Sequence, residues 1–106
     1  MTDELVFEVT TPLGFSVRRT RRHWDYIVSN KHPALAGHAA DVAAALREPD
    51  EIRLSRKDDA VFLFYRGGLP RWPCAVAKVQ DGSGFLITAY PTDAIKIGAR
   101  VWPTSQ

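Results

Sequence analysis

The chain has 106 residues, 45% of them hydrophobic and 25% charged, and its 14 basic against 12 acidic side chains leave a net charge of +2. This is room for one domain with one core across residues 1–106, and the charge is too small to argue for nucleic acid by itself. Cys74 is the only cysteine, which rules out an internal disulfide and argues against a cysteine-based metal site. No apolar run nears ~18 residues and no leader-like core opens the chain, so no membrane contact and a cytoplasmic location are expected.

Residues 5–9 alternate as a strand, with Leu5, Phe7 and Val9 toward one side and Glu4 and Glu8 toward the other. Thr11-Pro12-Leu13-Gly14 is a turn, and residues 15–19 alternate again, which predicts a hairpin. Thr20 is placed to cap a helix. Arg21 and Arg22 then fall in its first turn, where the helix dipole disfavours cations, so either they hold an anion or the helix starts later. Trp24, Ile27 and Val28 make an apolar stripe, with His23 and Asp25 beside it and Tyr26 across from it. Pro33 ends this helix. Ala39, Val42, Ala43 and Leu46 predict a second, alanine-rich helix, stopped at Glu48-Pro49-Asp50.

The remainder reads as strand. Ile52 and Leu54 open it, followed by the charged turn Arg56-Lys57-Asp58-Asp59. Residues 60–66 put Val61, Leu63 and Tyr65 on one face and Phe62, Phe64 and Arg66 on the other. Residues 67–73 form a rigid loop carrying Trp72. Residues 74–80 follow, with Lys78 on the side of Cys74 and Val76. Asp81-Gly82-Ser83-Gly84 is a hairpin turn, and residues 84–90 are a strand closed by Pro91. Strict alternation assigns Phe85, Ile87 and Ala89 to the core and Leu86, Thr88 and Tyr90 to the opposite face. Val101-Trp102 is expected to cover an end of the core. The predicted fold class is α+β: two helices packed on one face of a curved, mainly antiparallel sheet, in the order strands, helix, helix, strand meander.

Lys78 sits within an otherwise uncharged strand, so its amine must reach water, a partner or a substrate. A three-residue loop at Gly82-Ser83-Gly84 would set Lys78 opposite Thr88 on one face; a two-residue loop at Gly82-Ser83 would set them on opposite faces. Both registers fit the sequence. Arg66 reads as a strand-end cation, and Tyr65 and Tyr90 as phenols with their hydroxyls at the core rim. His23 follows a group of four arginines, and His32 sits in a Lys-His-Pro corner; histidine is a residue type suited to shuttling protons. There is no metal-ligand spacing, phosphate loop or nucleophile elbow, so no metal and no cofactor are expected. Cations, hydroxyls, tyrosines and histidines together suit an anionic ligand. RNA fits this set because its cleavage needs no metal: the 2′-hydroxyl attacks its own phosphate when a base, a cation and an acid are in place.

Several features occur together in order: Trp24 with Ile27, Lys31-His32-Pro33, Pro49-Asp50-Glu51-Ile52, Ser55 before Lys57-Asp58, Tyr65-Arg66, Val76 to Lys78, Gly84-Phe85, Thr88-Ala89-Tyr90, Thr92 and Ile95-Lys96. Across about residues 15–102, this pattern resembles the phage-associated branch of the barnase–EndoU–colicin–RelE (BECR) superfamily, small RNase-like domains. The resemblance implies an RNase-toxin-like fold and a metal-independent endoribonuclease that makes a 2′,3′-cyclic phosphate, as a toxin or phage-derived effector. The positions that match the family's polar pattern are His32, Tyr65, Arg66, Lys78, Thr88 and Tyr90. Catalytic roles are expected among His32, Lys78, Thr88, Tyr90 and His23, and substrate contacts from Arg66, Tyr65, Arg22, Lys31 and Thr92. RNA is the implied partner, with a protein inhibitor or antitoxin beside it. Such proteins often carry a histidine two residues after the tryptophan, where this chain has Tyr26. The competing expectation is a non-catalytic RNA- or protein-binding module of the same fold, including a homodimer that buries the sheet face.

Overall fold

The computed structural model describes residues 4–31, 33–67, 72–92 and 98–103. The chain runs β1 (Leu5–Thr10), β2 (Ser16–Thr20), α1 (Arg21–Asn30), a 3-10 turn (Pro33–Leu35), α2 (Ala39–Arg47), β3 (Glu51–Leu54), β4 (Val61–Tyr65), β5 (Trp72–Gln80), β6 (Ser83–Thr92) and β7 (Ala99–Trp102). These seven strands form one sheet in the order β1-β2-β6-β5-β4-β3-β7. Strands β3 to β6 are the expected antiparallel meander. The first hairpin joins it through a short parallel pairing of β2 with β6, at Val17–Gly84 and Arg18–Phe85. The architecture is α+β with a mixed sheet. No helix among the described residues is long and apolar enough to cross a membrane.

The helical segment carries the chain from β2 to β3, across the strands that lie between them, so it must pack on a face of the sheet. The Thr20 hydroxyl caps α1 by accepting the His23 amide at 3.3 Å, and Arg21 and Arg22 do occupy the first turn. Trp24 and Ile27 of α1, and Val42, Ala43, Ala45 and Leu46 of α2, form one buried cluster with Val17, Ile52, Phe64, Ala75, Ala77, Leu86 and Ala89. Small residues on both α2 and β5 let helix and strand approach closely. Each larger side chain in this cluster contributes about 1.5–3 kcal/mol by leaving water. The end of α2 is tied to the end of β4. Arg66 donates to the Glu48 carbonyl at 2.6 Å, where a cation also complements the helix dipole, and the Asp50 amide donates to the Tyr65 carbonyl at 2.8 Å.

The sheet departs from the sequence reading in four places. Leu5 is 44% exposed rather than core-facing, because the β1–β2 register shifts between Leu5 and Phe7. Strand β6 continues through Pro91 to Thr92, with Pro91 facing Pro73. That position lies beyond the pairing of β4 with β5 and of β2 with β6, so among the described residues no further neighbour requires an amide there. Val101 and Trp102 do pack against the core, as expected, but they do so from a seventh strand, β7, which pairs with β3 at the sheet edge.

The fourth difference concerns β5 and β6. The turn is neither of the two loops considered. It is the two-residue loop Asp81-Gly82, closed by Gln80–Ser83, with both residues at positive φ (54° and 79°), as the tight hairpin turn that matches strand twist requires. Lys78 then pairs with Phe85, Ala77 with Leu86 and Val76 with Thr88. Ile87 is the extra residue of a β-bulge. The bulge reverses the alternation halfway along β6. Leu86 and Ala89 are the buried core residues, at 1% and 0% exposure, while Phe85 is 39% exposed on the other face. Arg19, itself only 8% exposed, donates its guanidinium to the Leu86 carbonyl at this bulge. Burial pulls the Arg19 pKa below its ordinary value.

Candidate nucleic-acid interface

Both helices lie on the face that holds Phe64, Ala75 and Leu86. The opposite face carries no helix among the described residues, and the strand registers arrange its side chains in rows. The first row reads Glu8, Arg18, Phe85, Lys78, Val61 across β1, β2, β6, β5 and β4. The second reads Thr88, Val76, Leu63, Arg53, Arg100 across β6, β5, β4, β3 and β7. The third reads Tyr90, Cys74, Tyr65, Glu51. Thr92, opposite Trp72, extends β6 beyond it. Neighbours within a row stand about 5 Å apart, and successive residues on one face of a strand about 7 Å apart.

The register thus brings Lys78, Thr88, Tyr90, Tyr65 and Thr92 to one face, and the bulge is the cause. Without Ile87 as an extra residue, Thr88 would oppose Ala75 and point toward the helices. The side chains differ in what they offer. Lys78 is partly exposed and pairs with Asp58 at 3.3 Å. The Asp58 carboxyl is held below its usual value first by the Ala60 amide, which it accepts, and then by Lys78. Thr88 keeps its hydroxyl oxygen buried without a hydrogen-bond partner. Tyr65 and Cys74 are fully buried, at 0% and 1% exposure, yet stand outside the helix-side core. The Tyr90 hydroxyl hydrogen-bonds with both; burial above all, then these two neighbours, pushes its pKa well above the ordinary phenol value. Tyr90 therefore stays protonated at neutral pH. Arg53 is held by Glu51 and by the Gly98 carbonyl at 2.6 Å.

The remaining candidates lie elsewhere. Arg66 is engaged at the end of α2, with its Glu48 carboxylate 3.9 Å away. His23, Arg22 and Lys31 are exposed residues of α1 and its C-cap, on the element packed against the covered face. His38 occupies the N-cap position of α2 without a side-chain capping bond and pairs with Asp41 at 2.8 Å. His32, most of the 67–73 loop and Ile95-Lys96 lie outside the described residues. No cluster of metal-binding side chains occurs among the described residues.

Two exposed residues that strict alternation leaves out of the site stand on the same face, in its first row. Strict alternation assigns Phe85 to the core and gives Arg18 no role. The signal that would have found them is Asp81-Gly82, the dipeptide preferred in two-residue hairpin loops. Counting from that loop sets Lys78 opposite Phe85. No family model, curated protein or solved structure matches this chain.

Proposed function

We propose that the helix-free face binds RNA and that the protein is a metal-independent endoribonuclease of the RNase-toxin type, which the sequence pattern resembles. The observation that supports this reading most is the shared face: a cation, an exposed aromatic ring and the Thr88–Tyr90 segment are brought together by a bulge that regular pairing would not produce. In this reading the 2′-oxygen bonds to its own phosphorus as a base takes its proton, and the bond from phosphorus to the 5′-oxygen breaks as that oxygen is protonated. Lys78 compensates the charge that develops on the phosphoryl oxygens. The proton transfers belong to His32 or His23, since imidazole ionises near neutral pH. An antitoxin-like inhibitor would cover the same face.

A second reading, an RNA-binding module without catalysis, is favoured by one specific feature. Among the described residues the helix-free face holds no histidine, and its tyrosines are tied to one another and to Cys74. Incubating the purified protein with total RNA in EDTA separates the two. Cleavage lost in Lys78→Ala and in His32→Ala or His23→Ala supports the nuclease; RNA binding with intact RNA supports the module. Neither binding nor cleavage rejects both.

A further inference from the structure

We infer that Phe85 is a stacking platform for an unpaired base, which makes single-stranded RNA the ligand of the helix-free face; this rests on the RNA reading above. Three large hydrophobic residues are exposed among the described residues, Leu5, Tyr26 and Phe85, and only Phe85 stands within the helix-free face rather than on α1 or the outermost strand. Its position is set by the fold. The Asp81-Gly82 turn fixes its register with Lys78, and the parallel β2–β6 contact sets Arg18 on its other side. The residue that bears this phenyl ring therefore stands between two cationic residues, on strands about 5 Å away to either side. Nucleic acid complements such a row: a base lies on the ring while phosphates on either side meet the cations. A duplex does not, because its bases are stacked on one another and present no free ring face.

The carboxylates sharpen the expectation. Glu8 stands beside Arg18 in the row, and Asp58 pairs with Lys78. The row is therefore not strongly basic, and binding here depends on stacking more than on counterion release. The salt dependence should be shallow, equivalent to about one or two phosphate contacts.

The test uses the whole chain and a 2′-O-methyl oligoribonucleotide, which cannot form a cyclic phosphate, so that binding is read without cleavage. Anisotropy should show Phe85→Leu weakening this ligand by about 5- to 150-fold, the range for loss of one base–aromatic stack. Phe85→Tyr should retain most of the affinity, and a duplex of the same sequence should bind far more weakly than the single strand. Both variants should melt cooperatively, and Phe85→Tyr keeps the test decisive if the leucine variant folds poorly. Unchanged affinity in a folded Phe85→Leu, or equal binding of duplex and single strand, overturns the stacking inference and leaves RNA binding standing. Absence of binding by the wild type overturns both. A wild-type dimer that Phe85→Leu dissociates, with RNA affinity unmoved, would instead assign this ring to a protein interface.

Discussion

Gly84 is the residue through which the first hairpin reaches the rest of the sheet. It pairs with Val17 in the parallel contact, one position before Phe85 pairs with Arg18. A Cβ at Gly84 would lie 2.6 and 2.7 Å from two ring carbons of Phe15 and 2.9 Å from a methyl of Val17. Neither neighbour yields easily. Val17 is fully buried, and the Phe15 ring packs at 5.9 Å from Phe62 and 6.1 Å from Phe64. Forcing one methyl into such a site costs about 1–3 kcal/mol. Against this, alanine restricts the unfolded chain and recovers about 0.4–1 kcal/mol. At the middle of each range Gly84→Ala should therefore destabilise by about 1.3 kcal/mol, lowering Tm by about 5–10 °C for a domain of this size. Urea unfolding followed by circular dichroism measures it. In a Phe15→Leu background, where the ring is gone, the cost should shrink by at least about 0.5 kcal/mol. A Gly84→Ala variant as stable as the wild type, or an additive cycle, would refute the packing of the hairpin against β6.

Asp58→Asn removes the carboxylate 3.3 Å from Lys78 and should strengthen RNA binding and steepen its salt dependence, read from Kd at two ionic strengths. Thr88→Val replaces a buried hydroxyl that has no partner with a methyl. It should stabilise the fold by about 1 kcal/mol in urea unfolding, and any loss of RNA affinity alongside would mark stability given up for function. Tyr90 has a raised pKa in the folded state, so its contribution to stability is complete below the unfolded phenol value of about 10 and is lost as pH rises toward the folded value. Stability of the wild type should fall above about pH 10, and Tyr90→Phe should flatten that part of the profile.

Much of the fold was legible because local rules agreed. The Thr20 cap, the Trp24 and Ile27 stripe, the alanine-rich α2 and the Phe62–Phe64 alternation all appear as residue type and period predict. The site was legible only in part, because a single inserted residue decides it. Period two, applied through Ile87, exchanges Phe85 with Leu86. Nothing local to residues 84–90 marks the bulge. Its stabilising partner, Arg19, comes from a strand 67 positions away in sequence, and such non-local pairing is what propensity and periodicity do not encode. The parallel β2–β6 contact and the return of β7 to β3 were hidden for the same reason.

The proposal that this face cleaves RNA is tested most directly by the chemistry of the product. Oligonucleotides that are deoxy except for one ribonucleotide, drawn from a pool of random sequence, are incubated with the protein in EDTA. Cleavage should occur only on the 3′ side of the ribonucleotide and leave a 2′,3′-cyclic phosphate, and Lys78→Ala should slow it at least ~100-fold, as expected for a group that stabilises transition-state charge. Intact chimeric strands, cleavage of an all-deoxy control, or a Lys78→Ala variant as fast as the wild type would contradict it.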